Sequence, residues 1–285
     1  MTQASSARAE NPTETASPLT CRATAVALLL VACASAWCTA LTGAGSASAA
    51  TRSGLGVGDG PPVALTASFQ PDRLGAATAI SFAIQIEPPE DDAILPLSTM
   101  EVVYPANLGL ATSGLGVEAC DPAVLAVDGA GACPPDSKMG EGSALVDVPI
   151  GPRILHERVA LGIYASPSND GYLHLAIIAA GAQPVIAQIV LSAVLLDGHL
   201  QIGVPPIATL PGAPFATLVN MQATIGGRLT YYEHAHGRTI AYHPRGIGLP
   251  DTCPQGGWKL AASLAFIDGR SSHAGTAVRC PGGGT

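Results

Sequence analysis

Two histidines separated by one residue offer the clearest opportunity for chemistry in this chain. His234 and His236 follow Glu233 in a short polar segment, and residues two apart on a strand project from the same face. Two imidazoles on one face could share a copper or zinc ion, with His243 or Glu233 as a third ligand. The competing interpretation is the exposed polar face of a hairpin. His234, His236 and His243 are therefore a candidate metal site that lacks an evident fourth ligand.

A run rich in carboxylates, Glu87 to Asp92, is a second candidate for ion binding. Carboxylate oxygens crowded on a loop suit calcium. The run lacks the glycine and the alternating ligand positions of an EF-hand loop. A solvated loop tip is therefore the favoured interpretation.

Motifs of catalysis are missing from the sequence. No serine has the Gly-x-Ser-x-Gly setting, and His156-Glu157 is followed by Ala160 where a His-Glu-x-x-His zinc motif needs histidine. The glycines of Gly54 to Gly58 do not follow a strand and open a helix, as a dinucleotide-binding loop requires. The sequence predicts a protein that is not an enzyme and has no cofactor, with a secreted hydrolase as an alternative.

The cysteines favour disulfides over a metal site. Three of the seven cysteines fall within the first 50 residues, which leaves Cys120, Cys133, Cys253 and Cys280. An even number in an exported chain is typical of disulfides. Of the three possible connectivities we expect Cys120 with Cys133 and Cys253 with Cys280, the neighbours in sequence. A four-cysteine zinc site is the alternative, but no pair has Cys-x-x-Cys spacing.

The first 50 residues have the layout of an export signal. A polar leader precedes an uncharged apolar run, Ala23 to Leu41, and small residues follow at Ala47 and Ala49, where a signal peptidase needs them. Cleavage after Ala49 or Ala50 is expected. Two alternatives remain: lipidation at Cys33, and a retained helical anchor, because the apolar run approaches the ~20 residues that span a bilayer. Each of these places the protein in the secreted or extracytoplasmic cell-surface fraction.

The charge of the chain limits its partners. The formal net charge is −8, and Lys138 and Lys259 are the two lysines. An acidic chain has no electrostatic footprint for phosphate backbones, so nucleic acid is excluded as a partner. A component of the cell envelope is a possible partner, and contact with a membrane is expected through the N-terminal segment alone.

The elements that would position these residues are strands. With 33 glycines and 24 prolines in 285 residues, few windows could hold a long helix. Short runs rich in valine, isoleucine and threonine alternate with turn residues. We predict a signal segment over 1–50, a flexible linker over 51–62, and a β-sandwich-like domain over 63–285, formed as one body or as two packed subdomains. The fold class is all-β, an antiparallel β-sandwich or meander stapled by two disulfides and preceded by a helical signal segment.

Three antiparallel hairpins are predicted from pairs of apolar runs. The paired runs are Arg158 to Ala165 with Tyr172 to Ala180, Val185 to Leu196 with His199 to Val204, and Trp258 to Ile267 with a return strand ending at Cys280. Asp-Gly at 197–198 and at 268–269 favours two-residue turns. A two-residue turn at 268–269 would place Cys280 opposite Gly257. A membrane span over Leu173 to Leu196 is disfavoured, because Pro184 interrupts that run.

Two cysteine-containing segments resemble a group of proteins. Residues Cys133 to Ala144 read Cys-Pro-x-x-Ser-x-x-Gly-x-Gly-x-Ala. The second segment, near the end of the sequence, contains in order Cys253-Pro254, Gly257-Trp258, Asp268-Gly269 and Cys280-Pro281. Both segments resemble those of secreted β-rich proteins from high-GC actinobacteria whose role is unassigned. The resemblance implies a β-rich extracellular protein and assigns no functional residue.

The function predicted from these observations is a non-catalytic secreted or cell-surface module with a structural or adhesive role. Alternatives from other classes are an extracellular metal- or glycan-binding domain and a secreted hydrolase without a familiar motif.

Overall fold

The computed structural model describes ten stretches of the chain, all within one unit, Ala47–Thr285. These are residues 52–54, 58–88, 95–105, 108–110, 118–182, 186–208, 214–226, 231–235, 238–242 and 247–281. The predicted signal segment, with Cys33 and the expected cleavage site, lies outside the described residues.

The described residues form mostly strands, as the sequence predicts. The strands are β1 Arg52–Gly54, β2 Val63–Gln70, β3 Ala77–Ile86, β4 Leu97–Val103, β5 Gly109–Leu110, β6 Lys138–Ile150, β7 Arg153–Ser166, β8 Leu173–Gly181, β9 Ala187–Leu196, β10 His199–Gly203, β11 Thr217–Gly226, β12 Tyr231–Ala235, β13 Arg238–Tyr242, β14 Ile247–Gly248, β15 Trp258–Phe266 and β16 Ser271–Val278. The helix α1 covers Pro122–Asp128, and short 3-10 turns cover Ala130–Ala132 and Pro135–Ser137.

One antiparallel sheet holds all of these strands except the ribbon β12–β13. Its order is β1-β16-β15-β4-β10-β9-β8-β7-β6-β11-β3-β14-β5, and β2 also pairs with β3. Because β2 lies beside β16, the two ends of the sheet nearly meet. The expectation of a β-sandwich is therefore wrong: the sheet curls on itself into a barrel-like form and encloses its apolar face without a second sheet. The expected meander is present from β6 to β10.

Contacts before β2 draw the two ends of the sheet together. The backbone N–H of Gly60 donates to the carbonyl of Ser271 over 2.8 Å. The hydroxyl of Ser272 donates to the carbonyl of Pro61 over 2.6 Å, and the Ser271 N–H donates to a carboxylate oxygen of Asp59 over 2.8 Å. Upstream, β1 pairs with β16. These contacts involve residues of the segment 51–62, for which the sequence predicts a flexible linker.

The core lies inside the curled sheet because the strands alternate between apolar and polar residues. On β2 the odd-numbered residues are buried, and on β15 the even-numbered ones are. Trp258 is fully buried and meets Phe69 edge to face, with ring centroids 6.2 Å apart. Strands with one apolar face must cover it, and curling covers it for every strand at once.

The three predicted hairpins are confirmed. The first hairpin, β7 with β8, begins earlier than predicted, since β7 starts at Arg153. The second hairpin, β9 with β10, pairs Leu196 with His199 across the predicted two-residue turn. Leu173 to Leu196 accordingly forms β8 and β9, and among the described residues no helix is long and apolar enough to cross a membrane.

The register predicted for the last hairpin is wrong by one residue. Trp258 pairs with Val278, and the Phe266 N–H donates to the carbonyl of Arg270. The loop therefore has three residues, and Gly269 ends it with a φ of 90°. That positive φ is typical of three-residue hairpin loops. Cys280 consequently does not stand opposite Gly257.

Both predicted disulfides are present. Cys120 bonds Cys133 with Cα atoms 5.1 Å apart, and Cys253 bonds Cys280 with Cα atoms 5.9 Å apart. All four cysteines of the zinc alternative are therefore in disulfides and present no thiolate to a metal ion. The first disulfide closes the segment that carries α1 against the outer face of the sheet.

A small second core holds α1 in place. Asp121 caps the helix by accepting a hydrogen bond from the N–H of Ala123 at 2.8 Å. Leu125 is fully buried against Tyr164 and Ile178 on the outer face of β7 and β8. A helix of two turns has little stability of its own, so this packing and the disulfide position it.

A candidate ligand cavity inside the sheet

An apolar cavity of about 160 Å³ lies within the sheet, towards the end where β6 turns into β7 and β8 ends. Residues from seven consecutive strands of the sheet, β4-β10-β9-β8-β7-β6-β11, line it. The lining includes Ala144, Val146, Glu157, Val159, Ala179 and Ile189. A cavity of this size can hold a molecule about as large as benzene. The cavity is therefore a candidate ligand site on grounds of size and lining.

Glu157 is the one ionisable side chain in the lining over the described residues. Its relative exposure is 3%, and its Oε1 has no hydrogen-bond partner among the described residues. It stands opposite Val146 in the β6–β7 pairing, with Val159 as its neighbour on the same face of β7. A buried polar atom without a partner is rare in folded proteins, so this carboxyl group marks the cavity as a functional candidate.

The strand period places Glu157 inside. Residues two apart on β7 project to the same side, and Ile163 and Glu157, which are both buried, share the odd-numbered side with the half-buried Val159 and Leu161. His156, on the opposite side, is exposed and hydrogen-bonds Asp147, with Nδ1 and Oδ1 2.5 Å apart. The alternation along β7 therefore places one carboxyl side chain, that of Glu157, on the inward-facing side of the strand.

Sequence reasoning missed this residue because it began the strand at Arg158. Extending the alternation backwards through Val159, Glu157 and Leu155 would have found a charged residue at an apolar position. A polar residue at a core position is an anomaly that usually has a functional reason. In the sequence, His156-Glu157 attracts attention as an incomplete His-Glu-x-x-His zinc motif.

A smaller cavity of about 60 Å³ lies elsewhere in the interior, lined by Tyr104 and by apolar side chains such as Leu173 and Leu195. Burial raises the pKa of the Tyr104 hydroxyl, and the carboxylate of Asp197 adds to the effect. That hydroxyl donates to the carbonyl of Leu196 over 3.0 Å, so its polar group has a partner. Among the described residues that line this space, none has an unpaired polar group for a ligand.

A broad groove of about 890 Å³ crosses the outer face of the sheet. Small and hydroxyl-bearing side chains line much of it, and some already bond one another: Ser81 and Thr224 hydroxyls are 2.8 Å apart, and Gln222 donates to Ser143 over 3.1 Å. Lys138 and Glu141 form an ion pair of 2.9 Å at its edge. The groove presents a polar surface in contrast to the interior cavity.

The loop between β7 and β8 contains a strongly perturbed carboxylate. The backbone N–H of Tyr172, the ring of His174 and the hydroxyl of Ser168 all hydrogen-bond Asp170. These bonds, with the backbone N–H of Tyr172 as the largest cause, lower the pKa of Asp170 to about 2. The carboxylate organises the turn and lies away from the cavity lining.

The metal site expected from the sequence stays a prediction. His234 lies on β12, where its backbone pairs with Thr239, while His236 and His243 lie outside the described residues. Within the part of the chain that is described, no three histidine, cysteine or acidic side chains lie close enough to hold a metal ion. Of the acidic run, Glu87 is described and is exposed, and Glu90 to Asp92 lie outside the described residues.

Comparison of the chain with protein-family models, with curated proteins and with solved structures finds no match.

Proposed function

We propose that this protein is a non-catalytic, extracytoplasmic binding protein that holds a small, mostly apolar molecule inside its curled sheet. The observation that carries the proposal is the 160 Å³ apolar cavity. The proposal keeps the expected location and the expected lack of catalysis. It replaces the structural or adhesive role with ligand binding.

Energetics favour occupation of the cavity. Over the described residues the lining is almost wholly apolar, with Glu157 as its one ionisable side chain. A molecule that fills this space restores dispersion contacts that the lining otherwise lacks. Retention of such a cavity is therefore easier to understand in a binding protein than in a purely structural module.

Two further observations support the location and the type of activity. Disulfides such as Cys120–Cys133 persist in oxidising compartments outside the cytoplasm. The lining offers apolar surface and one carboxyl group, a composition typical of binding pockets, where few polar groups orient a ligand. Secretion and the actinobacterial resemblance stay predictions alongside the proposal.

The test measures binding of toluene and benzyl alcohol to the purified protein by ligand-detected NMR. Ala179→Leu should fill the cavity and abolish saturation transfer to toluene, because Ala179 is buried and lines the space. Ala160→Leu, on the exposed outer side of β7, is the matched control and should bind as the wild type does. Near-UV circular dichroism verifies that each variant is folded, and Ala144→Val provides a milder filling substitution.

Two results would contradict the proposal. One is wild-type protein that binds neither compound. The other is binding that Ala179→Leu and Ala144→Val leave unchanged while both variants remain folded, because the ligand would then lie outside the cavity.

A second candidate function is glycan binding in the outer groove, one of the alternatives that the sequence leaves open. The hydroxyls of Thr66, Ser68 and Ser81 line this groove of about 890 Å³, and hydroxyl and amide groups are natural partners for sugar hydroxyls. A glycan array probed with wild type and with Ser81→Leu tests it. Loss of a signal in the variant would support the groove, and an array without signals would exclude it.

A further inference from the structure

Glu157 adds a polar, ionisable group to a cavity whose volume by itself does not indicate the chemistry of a ligand. The side chain is 3% exposed, and Oε1 is buried without a hydrogen-bond partner among the described residues. On the β6 side Val146 lies opposite, and Ala144 of β6 and Val159 of β7 also line the space. Glu157 thus brings an unpaired buried carboxyl oxygen to the lining of an otherwise apolar space.

The cationic side chains of the neighbourhood do not satisfy this oxygen. Over the described residues the lining contains no lysine, arginine or histidine. His156 and Arg158 flank Glu157 in sequence, but both are exposed on the outer side of β7 because strand neighbours project to opposite faces. His156 also has its own acidic partner, Asp147. No protein cation described in the structure therefore compensates the carboxylate.

We propose that the ligand carries a cationic amine that pairs with the Glu157 carboxylate while its apolar part fills the remaining space. This inference rests on the proposed binding function and adds the class of ligand. An ammonium group both donates a hydrogen bond to Oε1 and neutralises the charge, and charge-assisted hydrogen bonds are stronger than neutral ones. An anionic ligand would add a second buried negative charge and is excluded by repulsion.

The size of the cavity restricts the amine to a small molecule. Because 160 Å³ suits a benzene-sized group, benzylamine is a suitable probe: its ring occupies the apolar space and its ammonium group reaches the carboxylate. Benzyl alcohol keeps a neutral donor at the same place, toluene keeps the ring alone, and benzoate carries the opposite charge. The four probes vary the polar end with little change in shape.

The experiment is isothermal titration calorimetry of the purified protein with each probe. We expect benzylamine to bind at least ~10-fold more tightly than toluene or benzyl alcohol, and benzoate to bind most weakly. Glu157→Gln should weaken benzylamine binding by at least ~30-fold, since truncating one member of a buried charge pair has effects of that order. The same variant should bind toluene within about twofold of wild type. Glu141→Gln, which removes an exposed carboxylate from β6, is the control and should change neither.

The outcomes separate this inference from the proposed function. If toluene binds but benzylamine binds no better than benzyl alcohol, or if Glu157→Gln leaves the benzylamine affinity unchanged, the cationic ligand is wrong and the apolar cavity stands. If neither toluene nor benzyl alcohol binds the wild type, the proposed function itself is wrong.

Discussion

Replacing Glu157 by methionine should make the protein more stable. The carboxyl group is 3% exposed and its Oε1 is unpaired among the described residues, and an unsatisfied buried polar group costs about 1–3 kcal/mol. Methionine has a similar length and adds apolar burial in the same place. The Glu157→Met variant should therefore gain about 2 kcal/mol in the free energy of unfolding and lose the preference for benzylamine.

Urea denaturation with the disulfides intact measures this change. For a protein of this size a gain of about 2 kcal/mol corresponds to a midpoint shift of roughly 0.7–1 M at an unchanged m-value. Glu141→Met is the control, because the Glu141 side chain is 61% exposed and exposed substitutions usually change stability by less than about 0.5 kcal/mol. A loss of 1 kcal/mol or more in Glu157→Met would refute the reasoning, since the carboxyl group would then have stabilising partners in the folded protein.

Three further predictions concern the first disulfide, the pairing of β6 with β11 and the loop between β7 and β8. Replacing Cys120 and Cys133 together by alanine should lower the free energy of unfolding by about 3 kcal/mol in the chain-entropy model, measured by urea denaturation; an unchanged midpoint would contradict it. Gly142→Ala should lower it by about 1–3 kcal/mol, because a Cβ there would collide with the backbone carbonyl of Gln222 on β11, and a thermal unfolding midpoint at or above that of the wild type would rule out that collision. The pKa of Asp170 is about 2 in the folded protein, below its value near 4 in an unfolded chain, so its stabilising effect is present above pH ~4 and is lost as the pH falls towards 2. Asp170→Asn should accordingly flatten the decline of the urea midpoint between pH 4 and 2, and a decline as steep as that of the wild type would argue against this assignment.

Sequence reasoning predicted the local pairings well. The turn at Asp197-Gly198 specifies its own hairpin, because the residues that need a positive φ stand beside the strands they join. The disulfide pairs were predicted for a similar reason, since each joins cysteines that are neighbours in sequence. Both features depend on short segments whose composition restricts the backbone directly.

Closure of the sheet was beyond that reasoning. Alternation on β2 identifies which face is buried, but it does not distinguish a sheet that packs against a second sheet from one that curls on itself. The distinction depends on strand tilt and on contacts between distant residues, such as Ser272 with Pro61. The register error in the last hairpin has a local cause, because Asp-Gly can belong to a two-residue or a three-residue loop.

Glu157 shows what a more complete use of the period could have predicted. The pattern Leu155, Glu157, Val159, Leu161 indicates an inward-facing carboxylate once the strand is extended to its start at Arg153. The cavity beside it could not be predicted, because its volume is a difference between the space enclosed by several strands and the side chains that fill it.

A crystal structure of the purified protein soaked with benzylamine is the most direct test of the interior binding site. We expect the aromatic ring to lie among Ala144, Ala179 and Ile189, with the amine nitrogen about 2.7–2.9 Å from the Glu157 carboxylate. An empty cavity at a benzylamine concentration that saturates the protein in solution, with the amine bound on the surface instead, would contradict the proposed site.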